Sequence, residues 1–136
     1  MRNTASVNNG RLLLALATLA LSMAALQSCG ASLPSPRPLP GNIKFAGEWD
    51  TNWGQMTLSQ RGKHVHGRYK GFRNGSITGD IEGNRLLFKW TQVKPRLHGR
   101  GYLLMSQDGK RMEGRWGYLI DHFEGGRWWA NRIEGY

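Results

Sequence analysis

His64 and His66 form a His-x-His pair within a run that reads as a strand, so both imidazoles face one side and can share a zinc ion. Such a site needs a third or fourth ligand. His98, Asp121 and His122 are the candidates, but no spacing brings them to the pair, and Arg68 close by repels a cation. We therefore expect no metal and no cofactor. Asp121-His122 with Glu124 offers acid-base chemistry in the 119–125 segment. No serine or second cysteine stands in a nucleophile motif, however, and no glycine-rich loop opens a helix to cradle phosphate. The chain is expected not to be an enzyme.

The same stretch carries a second kind of chemistry. Val65, Gly67 and Tyr69 share one parity, while His64, His66, Arg68 and Lys70 share the other, a basic stripe about 20 Å long at strand rise. The chain holds 19 Lys plus Arg against 9 Asp plus Glu, and setting aside Arg2 and Arg11 leaves 17 against 9, a net +8. One reading is a solvated face that opposes edge pairing. The sharper one is docking to an anionic envelope partner: lipid, lipopolysaccharide, glycan or protein. Nucleic acid suits the charge but not the compartment argued next.

Arg2 and Arg11 precede an apolar run, Leu12 to Leu26, broken only by Thr18 and Ser22, which reads as an export signal and is short for a spanning helix. Leu26-Gln27-Ser28-Cys29 follows and resembles the bacterial lipobox, with a leucine three residues before the single cysteine of the chain. The resemblance implies a signal peptide over 1–28 and a diacylglyceryl thioether with N-acylation (palmitate type) on Cys29. Two or more acyl chains hold a protein stably to a bilayer. Gly30, in place of an aspartate, favours the outer membrane on its periplasmic side. No intramolecular disulfide can form from one cysteine. Prolines at 34, 36, 38 and 40 make 29–43 read as a polyproline tether reaching up to roughly 40 Å.

These residues are positioned by a domain over 44–136 whose texture is short alternating runs broken by glycine. Period two marks strands over about 44–52, 54–60, 63–71, 76–82, 85–93, 98–106, 110–118 and 126–134. Arg61-Gly62, Asn74-Gly75, Gly83-Asn84, Asp108-Gly109 and Gly125-Gly126 supply the turns. Connections this short favour an antiparallel meander without substantial helix. The expected fold is all-β, a small up-and-down β-barrel of about eight strands, with a β-sandwich as the alternative. Gly-x-aromatic recurs at Gly47-Glu48-Trp49, Gly67-Arg68-Tyr69, Gly114-Arg115-Trp116 and Gly126-Arg127-Trp128, the small-and-large alternation of a narrow barrel. Parity places Trp49 and Thr51 inside, Asp50 outside, and Trp53 where Gly54 can reverse the alternation.

Gly47-Glu48-Trp49, Trp53-Gly54 and Gly67-Arg68-Tyr69 resemble the first hairpin of the avidin family and, more loosely, of the lipocalin-related calycin barrels. Thr51 stands where the family places a biotin-contacting asparagine and Gln55 where it places a serine, so only Tyr69 matches. The resemblance implies a barrel rather than biotin binding. It also implies an alternative function, a calycin-like binder of a small apolar or amphipathic ligand among Tyr69, Trp90, Trp116 and Trp128. A narrow barrel is usually filled by its own side chains, so a monomeric, non-catalytic interaction or envelope-structural module is preferred. A lysozyme inhibitor would be acidic against its basic enzyme. An integral outer-membrane barrel would need spanning strands of about 9 to 11 residues.

Overall fold

A computed structural model describes residues 32–135. Among them are eight strands and no helix: β1 (Gly47–Thr51), β2 (Gly54–Arg61), β3 (His64–Lys70), β4 (Gly75–Glu82), β5 (Arg85–Val93), β6 (Arg96–Met105), β7 (Arg111–Tyr118) and β8 (Gly126–Arg132). Each pairs antiparallel with the next, and β1 pairs with β8, closing a barrel. That last pairing decides against the sandwich. Two-residue turns at Gly62-Lys63 and Gly83-Asn84 join strands because Gly62 (φ 60°) and Gly83 (φ 55°) take the left-handed conformation tight hairpins require.

Three expected boundaries shift by two residues or more. β1 begins at Gly47 rather than at residue 44, because the preceding backbone is satisfied by side chains: Phe45 N donates to Gln60 Oε1 (2.7 Å), and Arg132 donates to the carbonyls of Ala46 (2.9 Å) and Lys44 (2.5 Å). β8 stops at Arg132, two residues short of expectation. β6 instead starts early, since Val93 pairs with Arg96 across a two-residue turn.

Alternate residues of every strand fill the interior. Trp49, Met56, Leu58, Val65, Tyr69, Ile77, Leu86, Phe88, Trp90, Leu103, Met105, Met112, Trp116, Trp128 and Ala130 are buried in one cluster with Phe45. Trp49 is inside and Asp50 outside, as parity demands. Glycine makes room at the crowded levels: a Cβ on Gly114 would come 1.7 Å from the Tyr102 carbonyl oxygen. Trp49 lies across the seam at one end of the barrel. Its Nε1 donates to Phe45 O (3.0 Å), and the Arg132 guanidinium sits 4.2 Å from its ring centroid, with desolvation lowering the pKa of that arginine.

The proline-rich segment is not a free tether over its described length. Arg85 donates to Pro34 O (2.7 Å), Gln107 donates to Pro38 O (3.2 Å), and Leu39 and Ile43 pack against the core. Asn84 clamps it on both edges: its Oδ1 accepts from Arg37 N (2.7 Å) and its own N–H donates to Arg37 O (2.8 Å). A polyproline path has no internal hydrogen bonds, so its carbonyls are free for side-chain donors from the barrel. The segment becomes a strap across one end, leaving residues 30–33 between Cys29 and the first pinned carbonyl. Cys29 and the whole 1–28 signal lie outside the described residues. Asn84→Ala is expected to cost about 1–3 kcal/mol, since it also removes the Asn84 Nδ2 donor to Met105 O (3.1 Å). Hydrogen exchange at the Arg37 amide checks it. Unchanged protection there would mean that the strap holds by packing alone.

Candidate functional site

β3 places the basic stripe as its parity requires. Val65 and Tyr69 are buried, while His64, His66, Arg68 and Lys70 are exposed on the outer face. The cross-strand neighbours of the middle two are small and hydroxylated: Ser59 and Thr78 flank His66, and Thr57 and Ser76 flank Arg68. Thr91 extends the second row, its hydroxyl 2.8 Å from that of Ser76, and Lys89 extends the first beyond Thr78. His64 differs from the others. Its Nδ1 lies 3.3 Å from Asp80 Oδ1, so the acidic corner of the wall belongs to it alone. No carboxylate among the described residues lies within ion-pair distance of His66, Arg68 or Lys70.

Two shallow grooves run along either side of this stripe. One, of about 460 Å³, is lined by Gln55, Thr57, Ser59, His66, Arg68 and Lys70. The other, of about 720 Å³, again includes Arg68 and Lys70 and adds Phe72, Arg73, Ser76, Thr91, Val93 and Lys94. Neither has an acidic residue among the described residues that line it. Fixed cations alternating with hydroxyl donors suit an anion presented along a surface.

The four aromatic candidates also meet. Trp90 and Trp116 pack edge to face at 5.5 Å, and Tyr69 packs against Trp128 at 5.3 Å, all at the barrel end away from the strap, here the mouth. Trp53, which parity left ambiguous, joins them from the β1–β2 turn, 5.2 Å from Trp116. The only sequence signal for it was a tryptophan directly before a turn glycine. Burial raises the Tyr69 pKa, opposed by the neighbouring Gln92 side chain and Arg73 charge. Trp90 Nε1 donates to Gly117 O (3.0 Å), whereas the buried indole N–H groups of Trp53, Trp116 and Trp128 have no partner among the described residues. The cleft between the rings holds about 90 Å³, against roughly 300–1,000 Å³ for ordinary ligand pockets. It seats a small group and no more.

Comparison with known proteins finds no match. No protein-family model, no curated protein and no solved structure is significantly similar to this chain.

The remaining candidates are placed apart. His98 stands on the outer face of β6, in the row Arg68, Ser76, Thr91, His98, three strands and so about 14 Å from β3. Asp121 shapes its own loop: Oδ1 accepts from Phe123 N (2.9 Å) and Oδ2 from Glu124 N (2.9 Å), bonds that hold its carboxyl below the usual range. His122 is pushed below its ordinary pKa by desolvation and by Arg100, with Asp121 opposing. Glu124 is exposed beyond it. Among the described residues no group of three or more His, Cys, Asp or Glu is arranged to hold a metal ion.

Proposed function

We propose that this chain is an outer-membrane-anchored periplasmic lipoprotein, held through Cys29, that works as a non-catalytic interaction module docking an anionic envelope partner on its β3 wall. The observation that carries the reading is the pair of grooves sharing Arg68 and Lys70, with no carboxylate among the described residues lining either. The net +8 over the residues after the signal points the same way. A filled interior argues that the outer surface is what the protein offers. Each basic residue near an anionic membrane adds on the order of 1 kcal/mol.

Arg68→Gln combined with Lys70→Gln, in the full chain with Cys29→Ser so that no acyl anchor contributes, is therefore expected to weaken binding to anionic vesicles or lipopolysaccharide by about tenfold or more, with little effect on neutral vesicles. Salt should weaken the parent as well, since exposed charges act within about 10 Å at 0.1 M. Co-sedimentation measures both. Indifference to the double change, or equal binding to neutral and anionic surfaces, would return the stripe to a solvated face.

A second reading, a calycin-like binder of a small amphipathic ligand, draws on the three unpartnered indole N–H groups at the mouth. It would show as saturable, one-to-one binding of an amphipathic probe that Trp90→Ala removes.

A further inference from the structure

We propose that the mouth of the barrel is a foot that enters the headgroup boundary of an anionic bilayer, with Phe72, Val93, Leu119 and Ile120 as its apolar contacts. This rests on the reading of the Arg68 and Lys70 wall as an anion dock, and names lipid as the partner.

Six large apolar side chains are exposed among the described residues, and five of them, Phe72, Val93, Tyr118, Leu119 and Ile120, cluster at the mouth. Phe72 is 80% exposed and Ile120 79%. They come from separate turns that the fold brings together. Phe72 sits in the β3–β4 turn with its ring 6.4 Å from that of Trp53, and Val93 ends β5. Leu119 N donates to His98 O (3.1 Å), which leans the 119–120 turn toward β6. Leu119 takes a φ of 59°, a conformation that bulky residues seldom adopt, yet the turn it makes leaves both Leu119 and Ile120 in water. Neither joins the buried core in that arrangement.

Cations collar the Phe72 and Val93 tips, while Asp121 follows Ile120 in the third turn. Arg73 and Lys94 line the same groove as Phe72 and Val93, Lys70 continues it down the wall, and exposed Arg96 pairs with Val93. A soluble polyanion would engage the cations and leave Phe72 and Ile120 in water. An anionic bilayer engages both, phosphates meeting the collar while the apolar tips lie at the headgroup and acyl boundary. Charge and apolar surface are thus complementary to one partner.

The test uses the full chain with Cys29→Ser and an environment-sensitive dye on an introduced cysteine, Val93→Cys at the mouth or Lys110→Cys at the opposite end. With vesicles of phosphatidylcholine containing phosphatidylglycerol, the Val93 dye should shift to the blue and be quenched by nitroxide lipids labelled near the headgroup. The Lys110 dye should stay aqueous, and phosphatidylcholine alone should give neither response. Phe72→Ser with Ile120→Ser should lower the partition about tenfold while leaving its salt dependence unchanged. Binding that persists and still depends on Arg68 and Lys70, with the Val93 dye in water, would overturn the foot and leave the dock standing. Competition by soluble polyphosphate with a silent dye would assign a polymer instead of lipid. An equal shift on neutral vesicles would also overturn the proposal, and anionic binding indifferent to Arg68→Gln and Lys70→Gln would remove the dock itself.

Discussion

Trp49→Ala is expected to lower stability by about 3–5 kcal/mol, much of what a small domain has, in chemical denaturation of the full chain followed by circular dichroism. The ring is 0% exposed, and its truncation removes apolar transfer energy and leaves a cavity. It also orphans Phe45 O and uncovers the Arg132 guanidinium. Position aggravates the loss. Trp49 and Arg132 form one of only three residue pairs joining β1 to β8, so the weakened contact is the one that closes the cylinder. Trp49→Phe, which restores much of the ring but not its N–H, should fall between the two. A loss under about 1 kcal/mol would show that the barrel end is sealed by something other than this ring.

Cys29→Ser should act on location as sharply as Trp49→Ala acts on stability. If Cys29 carries the acyl chains, metabolic labelling with a fatty-acid analogue will mark the parent chain and leave the serine variant blank, and the variant will be missing from the outer-membrane fraction. The strap would give such an anchor a mechanical meaning. Pro34 O is bonded to Arg85, so five residue steps separate Cys29 from a fixed point on the barrel, about 18 Å at full extension. That is less than half the reach expected of a free tether. A serine variant that still pellets with outer membrane after a high-salt wash, or still takes up label, would end the lipoprotein reading.

The strands were legible because their information is local. Period-two alternation and turn glycines repeat every few residues, and the inward parity of Trp49 and Thr51 and the outward parity of Asp50 follow from them. The stripe on β3 was legible for the same reason. What stayed hidden depends on partners far apart in the chain. Arg37 meets Asn84 across 47 residues, Pro38 meets Gln107 across 69, and Arg132 meets Lys44 across 88; nothing near either partner announces it. A run of prolines therefore read as a spacer when it is a strap. The two grooves were equally invisible, because they depend on which hydroxyl residues of β2, β4 and β5 the register sets beside Arg68. The mouth was half legible: four of its rings were named from the Gly-x-aromatic rhythm and inward parity, while Trp53 sits in a turn, where parity says nothing.

Closure by the short β1–β8 pairing has a kinetic side. Seven of the eight pairings are hairpins between neighbours in sequence, each formed by closing a loop of a few residues. The eighth brings together Thr51 with Ala130 and Trp49 with Arg132, partners 79 and 83 positions apart. Loop-closure entropy and contact order therefore concentrate in one small set of contacts, which becomes favourable only once the intervening hairpins have brought the two ends of the sheet within reach. The ribbon can curl early; the ring is completed last, with the indole of Trp49 and the guanidinium of Arg132 as its clasp.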